Sequence, residues 1–421
     1  MFELRKIYTP IIFVGILLSQ VIPTFGAYLG FAGNWIPYTT GFAVTAVGVL
    51  LYLFEERAVK DQITQYAFFL YWIIAVIHTT ALMIFFSDLS NYAEYADLFR
   101  WFTIPVFILA GVAYAKKTDS PLRGGYVLGL TLIIFTLLLF ADFIANGAWS
   151  SIQKLYKTRT MGFGRFPGNW NYPYNMSVAL FFYILVLGLG WQKMRSWTAS
   201  FFSGLGILIC VLLIVIGQSR GSLAALFGTS VLFFIYRLFR VNITKRFRVN
   251  GRVVVPVGVI GGSIILAFAA FGLSFFDLVQ QFGRRYLQFA NLAAALESSG
   301  RGREIAQMTQ YLSEYPASLL IGFGPMRSVE FWVQNLLLYI LRYGVVGLVL
   351  YVFLIPGMTA ANVYFRGNIR ILRRITIGYV AWILFVIFNS VSHDIFSHFR
   401  FIPLFYFITG IILGLRYRND V

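Results

Sequence analysis

The chain has 421 residues, of which 59% are hydrophobic and only 12% are charged, and its formal net charge at pH 7 is +18. This composition excludes a water-soluble globule and predicts an integral membrane protein. The basic residues stand at the ends of hydrophobic runs, as in a membrane topology signal, so the charge does not indicate a nucleic-acid partner.

Windows of about 20 apolar residues predict about twelve transmembrane helices in one polytopic domain, residues 1–421, so the expected fold class is all-α. The predicted spans lie near residues 9–30, 35–54, 66–87, 98–115, 125–145, 173–191, 197–217, 221–239, 252–275, 331–355, 374–393 and 399–415. The first span is long, contains Pro23 and is followed at once by another, which predicts a retained span and not a cleaved signal peptide. The single cysteine, Cys210, lies in an apolar run, so we expect it to have a packing role.

Basic residues fall on alternate connections between these spans, and the same connections hold both termini. Because cytoplasmic loops carry the excess of Lys and Arg, both termini are predicted to be cytoplasmic. The opposite connections, residues 88–97, 146–171, 217–221, 276–330 and 392–400, are then predicted to lie on the other face of the membrane. Segment 276–330 is expected to form short amphipathic helices on that face.

Residues 297–348 contain a polar, arginine-rich stretch between hydrophobic runs. Arg301 and Arg303 follow a small-residue turn, and the apolar positions after them recur at helical spacing, which predicts an amphipathic helix at a membrane surface. A Gly-Phe-Gly-Pro break at 322–325 then precedes Gln334 and Asn335, so this amide pair can face a cavity at the mouth of the next span.

Several arginines are candidates for holding an anion, because a guanidinium matches phosphate oxygens with fixed donors. Arg220 lies in a tight Gly-Gln-Ser-Arg-Gly turn on the side where the positive-inside rule disfavours arginine, which weighs against a topology-setting role. Arg301 and Arg303 lie at a helix start that favours an anion, or are solvated charges beside headgroups. Arg342 lies within an apolar run and must face protein or a cavity, as a structural partner or a substrate contact. Arg284 stands beside aromatic residues and is expected to be an interfacial anchor.

Other polar groups could contact a sugar or move a proton. Arg165, Asn169 and Asn171 flank Trp170 in a loop whose composition suits sugar stacking and amide hydrogen bonds, but also an ordinary turn. Glu330 and His393 are the candidate bases, and each has an interfacial structural role as its alternative. No HExxH, DxD or CxxC pattern occurs, so we expect no metal site and no cofactor.

The order of these blocks resembles the core of the O-antigen polymerase and ligase superfamily, membrane enzymes that transfer glycans from a polyprenyl diphosphate. The blocks that carry the resemblance are Arg-Phe-Pro-Gly-Asn-Trp-Asn at 165–171, Ser-Arg-Gly at 219–221, Ser-Gly-Arg at 299–301, Glu-Tyr-Pro at 314–316, Gly-Phe-Gly-Pro at 322–325 and Gln-Asn at 334–335. Together they span about residues 162–347.

The resemblance implies a GT-C-type, metal-independent glycosyltransferase of the bacterial inner membrane with a periplasmic active site. Its catalytic residues would be Arg220, Arg301, Arg303 and Glu330. Its substrate contacts would be Arg165, Asn169, Asn171, Gln334, Asn335, Arg342 and His393. The implied partners are an undecaprenyl-diphosphate-linked glycan donor and acceptor, the lipid bilayer, a chain-length regulator and a flippase, with no nucleic acid.

Three functions remain open at this point. The ligases of the superfamily carry a His-Asn pair where this chain has Gln334 and Asn335, and glutamine cannot accept a proton near neutral pH, so the polymerase is favoured over the ligase. A ligase would transfer the finished glycan to lipid A core or to a protein. A lipid-linked oligosaccharide flippase is the alternative of another class, although transporters commonly show internal repeats that this sequence lacks.

Overall fold

A computed structural model describes residues 5–29, 35–55, 62–86, 92–118, 121–146, 151–156, 170, 173–191, 197–216, 222, 224–232, 301–323, 336–354, 357, 359, 370–390, 395 and 398–415. Every regular element within these ranges is helical, and none of them contains a strand. The predicted all-α fold class is confirmed for this part of the chain.

The helices follow one another in this order: α1 Arg5–Val21, α2 Gly26–Leu29, α3 Trp35–Glu55, α4 Gln62–Phe86, α5 Tyr92–Lys117, α6 Pro121–Asn146, α7 Ser151–Tyr156, α8 Pro173–Trp191, α9 Trp197–Ile216, α10 Arg301–Glu314, α11 Pro316–Ile321, α12 Leu336–Leu348, a π-helix Val349–Leu354, α13 Arg370–Ser390 and α14 Phe401–Leu415. Residues 224–232 are also helical.

Two helices of the described residues are long and apolar enough to cross a membrane: Trp35–Glu55, and Gly124–Phe143 within α6. Shorter apolar helical stretches of 10–17 residues occur in α1, α4, α5, α8, α9, α12, α13 and α14. The larger number of about twelve spans stays a prediction, and the predicted span 252–275 lies outside the described residues.

The first predicted span, residues 9–30, is wrong at its C-terminal end. Helix α1 stops at Val21, and the separate short helix α2 begins only at Gly26. Pro23 lies between them, and a proline inside a helix removes a backbone hydrogen bond and clashes with the preceding turn. The first helix therefore ends earlier than the hydropathy of the sequence predicts.

Two helix pairs in the bundle pack through small residues. In the α1–α3 pair, Gly15 faces Thr45, Gly41 faces Ser19 and Gly48 faces Ile12; in the α5–α14 pair, Gly111 faces the Phe407–Ile411 backbone, Gly410 faces Ile108 and Gly414 faces Ala115. A β-carbon on Gly48 would lie 2.6 Å from Cγ1 of Ile12, and one on Gly111 would overlap the carbonyl oxygen of Phe407. The backbones approach this closely only because these positions lack a side chain.

Helix α8 packs on α13 through aromatic rings. Phe181 stacks on Phe385 with ring centroids 4.3 Å apart, and Trp382 lies 4.8 Å from the ring of Phe182. Both contacts lie in the buried core. They hold the start of α8 beside the end of α13, where the polar groups described next are found.

Helix α10 covers the segment for which the sequence predicts an amphipathic helix. Gln307 and Gln310 on this helix are exposed, and Nε2 of Gln310 donates to Glu314 at 2.8 Å. The break predicted at 322–325 begins at Gly322, which ends α11 with a φ of 90°. A β-carbon at that φ is strained, which explains the glycine.

Candidate functional site

The structure describes three of the predicted site residues. Arg342 is described with its side chain, and Arg301 and Arg303 are described as backbone in the first turn of α10. The remaining predicted site residues lie outside the described residues: Arg165, Asn169, Asn171, Arg220, Glu330, Gln334, Asn335 and His393. Several residues that the structure describes flank them in sequence.

A closed ring of hydrogen bonds joins three buried side chains that come from distant parts of the chain. Ser177 donates to Ser222 at 2.7 Å, Ser222 donates to Oδ1 of Asn389 at 3.3 Å, and Nδ2 of Asn389 donates back to Ser177 at 3.2 Å. All three side chains are buried. Each therefore has the partner that a buried polar group requires, and the ring fixes the contact of α8 with α13 at this level.

The three residues of this hydrogen-bonded ring lie close in sequence to predicted site residues. Ser222 comes directly after the Ser-Arg-Gly block that contains Arg220, and Ser177 comes six residues after Asn171. Asn389 lies at the end of α13, shortly before His393. Residues that neighbour two motif blocks and His393 thus meet within hydrogen-bonding distance.

A further buried acceptor lies on α8, two residues before Ser177. Asn175 is almost completely buried, and its Oδ1 makes no hydrogen bond with any described residue. A buried amide oxygen without a partner is costly. Asn175 lies outside the motif blocks, and the sequence analysis did not single it out.

Trp382 connects the ring to a second polar cluster. Its indole N–H donates to the carbonyl of Val178 at 3.1 Å, next to Ser177, and its ring centroid lies 5.8 Å from that of Phe401. Phe401 follows Arg400, the charged centre of the second cluster. Both clusters therefore lie at the same end of the bundle.

Arg400 is fully buried and closes the C-terminal end of α1. Its guanidinium donates to the carbonyl of Ser19 at 2.9 Å, to that of Gln20, and to that of Ile22 at 2.6 Å. In return, Nε2 of Gln20 donates to the carbonyl of Arg400 at 2.8 Å. The negative end of a helix favours a cation, so this arrangement is electrostatically sound.

The remaining carbonyls at the end of α1 are also satisfied. The backbone N–H of Ile22 donates to Leu18 at 3.0 Å, and the hydroxyl of Tyr156 donates to Val21 at 2.8 Å. The last four carbonyls of a helix lack partners inside the helix, and here all four have one. Helix α1 can therefore end in a buried position, beside α7 and α14.

Arg400 keeps its charge in this buried position, because a guanidinium is not deprotonated in proteins and three carbonyls accept its hydrogen bonds. Two aromatic rings lie beside the guanidinium of Arg400. Its central carbon is 5.1 Å from the ring centroid of Phe399 and 5.9 Å from that of Tyr156. Arg400 donates to backbone carbonyls, so it acts as a clamp and not as a phosphate ligand.

Trp170, inside the block predicted to bind sugar, stacks on His398. The ring centroids are 5.2 Å apart with an interplanar angle of 10°, and Nδ1 of His398 accepts the backbone N–H of Arg400 at 3.3 Å. Trp170 has no exposed surface. Its ring therefore offers no open face to a sugar, and its role in this structure is to pack the 170 region against residues 398–400.

Arg342 lies on α12 beside a kink. Its side chain is buried, and Gly344, two residues later, has a non-helical conformation with a φ of 66°. The rings of Tyr339 and Tyr343 pair next to it, with centroids 4.9 Å apart. Arg342 thus faces protein, and its role as a substrate contact stays a prediction.

Sequence reasoning missed Arg400, although a signal was present. Arg400 stands at the start of a predicted span on the same side as Arg220, where the positive-inside rule disfavours arginine. The ring residues Ser177, Ser222 and Asn389 carry a weaker signal, since isolated polar residues in apolar runs are common. Among the described residues, no group of three or more His, Cys, Asp or Glu side chains could hold a metal ion.

Comparison with models of known protein families found no match, and comparison with curated proteins found none either. The resemblance to the polymerase and ligase superfamily therefore rests on the order of the motif blocks alone.

Proposed function

We propose that the protein is a multi-pass membrane glycosyltransferase of the GT-C type that polymerises undecaprenyl-diphosphate-linked oligosaccharide units. It acts at the periplasmic face of a bacterial inner membrane, with both termini in the cytoplasm. The observation that carries the proposal is the ring of Ser177, Ser222 and Asn389. It joins residues close in sequence to the 165–171 block, to the 219–221 block and to His393, which are far apart in the chain and would have to meet in a shared site.

The membrane part of the proposal is supported by the surface of the bundle. Large apolar side chains are exposed on both candidate spans, for example Leu50 and Phe54 on α3 and Leu138 on α6. Such surfaces favour lipid over water. The close glycine contacts of α1 with α3 and of α5 with α14 also match helix association in lipid, where small residues let backbones approach.

The reaction follows from the groups assigned to the site. A hydroxyl of the incoming lipid-linked unit attacks the anomeric carbon of the growing chain, and the bond from that carbon to the diphosphate oxygen breaks. The electron pair leaves on the diphosphate, where Arg220, Arg301 and Arg303 stabilise the developing charge. The proton of the attacking hydroxyl passes to Glu330. No metal takes part in this scheme.

Binding of the sugars falls to amide groups in the same scheme. Asn169, Asn171, Gln334 and Asn335 hydrogen-bond the hydroxyls, and the buried amide oxygen of Asn175, two residues before Ser177 on α8, offers a further acceptor. Arg165, Arg342 and His393 complete the substrate contacts. Buried amides with few partners discriminate well against ligands that lack the matching group.

The experiment uses the purified full-length protein in lipid nanodiscs with a lipid-linked repeat unit as the only glycan. A polymerase gives a ladder of longer lipid-linked products. A ligase gives no ladder and transfers glycan only when lipid A core or an acceptor protein is added. A flippase moves the substrate across vesicles and forms no new glycosidic bond, and this result, or transfer only to lipid A core, would refute the proposal.

A further inference from the structure

Helix α11, Pro316–Ile321, packs against the middle of α12 and not against its end. The N–H of Phe323 donates to the carbonyl of Leu341 at 2.9 Å. A β-carbon on Gly322 would lie 2.6 Å from the backbone nitrogen of Gly344, and one on Gly344 would overlap the carbonyl oxygen of Leu320. The two glycines thus form a backbone-to-backbone contact at the kink of α12.

The depth of this contact can be read from α12. The helix begins at Leu336, and Gly344 lies eight residues further along. At a rise of 1.5 Å per residue, the contact is about 12 Å below the start of the helix.

The contact of α11 with α4 gives a second, independent estimate of the depth of α11. His78 hydrogen-bonds the backbone of Ile321, and α4 ends at Phe86, again eight residues away. The rise of a helix makes this distance about 12 Å as well. In the predicted topology both helix ends lie on the same side of the membrane. Since the hydrocarbon core of a bilayer is about 30 Å thick, the C-terminal end of α11 lies at hydrocarbon depth.

The outer face of α11 has the wrong polarity for a surface loop in water. Tyr315, Leu319, Leu320 and Ile321 are 56%, 44%, 58% and 49% exposed, whereas Ser318 is buried. The hydroxyl of Ser318 donates to the carbonyl of Tyr315 at 2.5 Å. The polar residue faces inward and the apolar residues face outward, the reverse of a helix at a water-exposed surface.

This apolar face continues onto its neighbours. On α4, Ile77 next to His78 is 62% exposed, and on α12, Val345 and Val346 next to Gly344 are also exposed. Where α11 ends, the two backbone donors that follow it are satisfied, because the N–H groups of Gly322 and Phe323 donate to the carbonyls of Ser318 and Leu341. Non-helical backbone at membrane depth is tolerated where its polar groups are satisfied by protein.

We propose that α11 is a re-entrant element whose outer face, Tyr315, Leu319, Leu320 and Ile321, is covered by the hydrocarbon chains of the bilayer. It anchors α10, and with it Arg301 and Arg303, to the flank of the bundle between α4 and α12. The inference rests on the membrane part of the proposed function and is independent of the transfer reaction.

The test places nitroxide spin labels on single cysteines in full-length protein with Cys210→Ala, reconstituted in phosphatidylcholine and phosphatidylglycerol vesicles. Leu319→Cys and Leu320→Cys report on α11. Ile77→Cys is the lipid control on α4, and Gln310→Cys is the water control on α10. Paramagnetic resonance then measures collision of each label with oxygen, which concentrates in lipid, and with a water-soluble nickel chelate.

The labels on α11 are expected to collide more with oxygen than with nickel and to lie at the depth of the Ile77 label, whereas the Gln310 label shows the reverse. Labels at 319 and 320 that behave like Gln310 would overturn the inference, and so would labels shielded from both reagents, which would mean a protein cover such as a second copy. If the Ile77 label also prefers nickel, the membrane part of the proposed function fails too. Two label positions on α11 guard against a variant that does not fold.

Discussion

Arg400→Met is the substitution whose cost the structure defines best. Methionine keeps much of the arginine stem but removes all donors from the carbonyls of Ser19, Gln20 and Ile22. These carbonyls belong to the end of α1, which is buried beside α7 and α14. Water would have to enter to replace the lost hydrogen bonds, so we expect a large loss of stability.

The magnitude follows from the number and charge of the hydrogen bonds. A hydrogen bond to a charged group is worth about 1.5–3 kcal/mol. Losing three such hydrogen bonds therefore costs more than losing one. Removing the charge also removes the desolvation penalty of a buried cation, which offsets part of that cost. A net destabilisation of about 3 kcal/mol or more is therefore expected. Tyr156→Phe, which removes one neutral bond to Val21, should cost only about 1 kcal/mol.

The assay compares heat stability of purified variants in detergent, as the temperature at which half of the protein no longer elutes as a monodisperse peak. The expected order of stability is wild type, Tyr156→Phe, Arg400→Lys and Arg400→Met, because lysine keeps the charge but not the planar fork of donors. An Arg400→Met protein as stable as Tyr156→Phe would refute the account of Arg400 as the clamp on α1.

Three further predictions concern packing, the ring and the base. Gly111→Leu should abolish the monodisperse peak because its side chain meets the Phe407–Ile411 backbone, whereas Gly125→Leu, where a β-carbon meets nothing within 4 Å, should elute normally. Asn389→Leu leaves two buried hydroxyls without an amide partner and should lower heat stability by the equivalent of about 1–3 kcal/mol, and an unchanged melting profile would contradict the ring. Glu330→Gln should bind the donor yet slow polymerisation by roughly 100 to 10,000-fold, with His393→Gln nearly unaffected. The opposite pair of results would assign the base to His393.

Local patterns in the sequence predicted local structure well. The periodicity after Arg301 predicted α10, and the glycines before Pro325 predicted the break that ends α11 at Gly322. Both features depend on a few neighbouring residues, on helical spacing and on the φ angles that glycine allows.

Features that depend on distant residues escaped prediction. Helix α1 ends at Val21 because Pro23 stops it and because Arg400, far away in sequence, satisfies its last carbonyls. Trp170 lies in a loop whose composition suits sugar binding, but in the structure its ring is buried and stacks on His398. No local pattern reports such contacts, so the end of the first span and the accessibility of Trp170 required the structure.

In the proposed function, a diphosphate-linked glycan reacts beside Arg220, and the rate of polymerisation tests this placement. The rate of ladder formation from a lipid-linked repeat unit is compared for wild type, Arg220→Ala, Arg220→Lys and Arg284→Ala in nanodiscs. Arg220→Ala is predicted to be slower by a factor on the order of 100 or more, by analogy with loss of one oxyanion-type donor. Arg220→Lys should recover part of the rate, and Arg284→Ala, the interfacial control, should match wild type. A folded Arg220→Ala protein that forms the ladder at the wild-type rate would contradict the account.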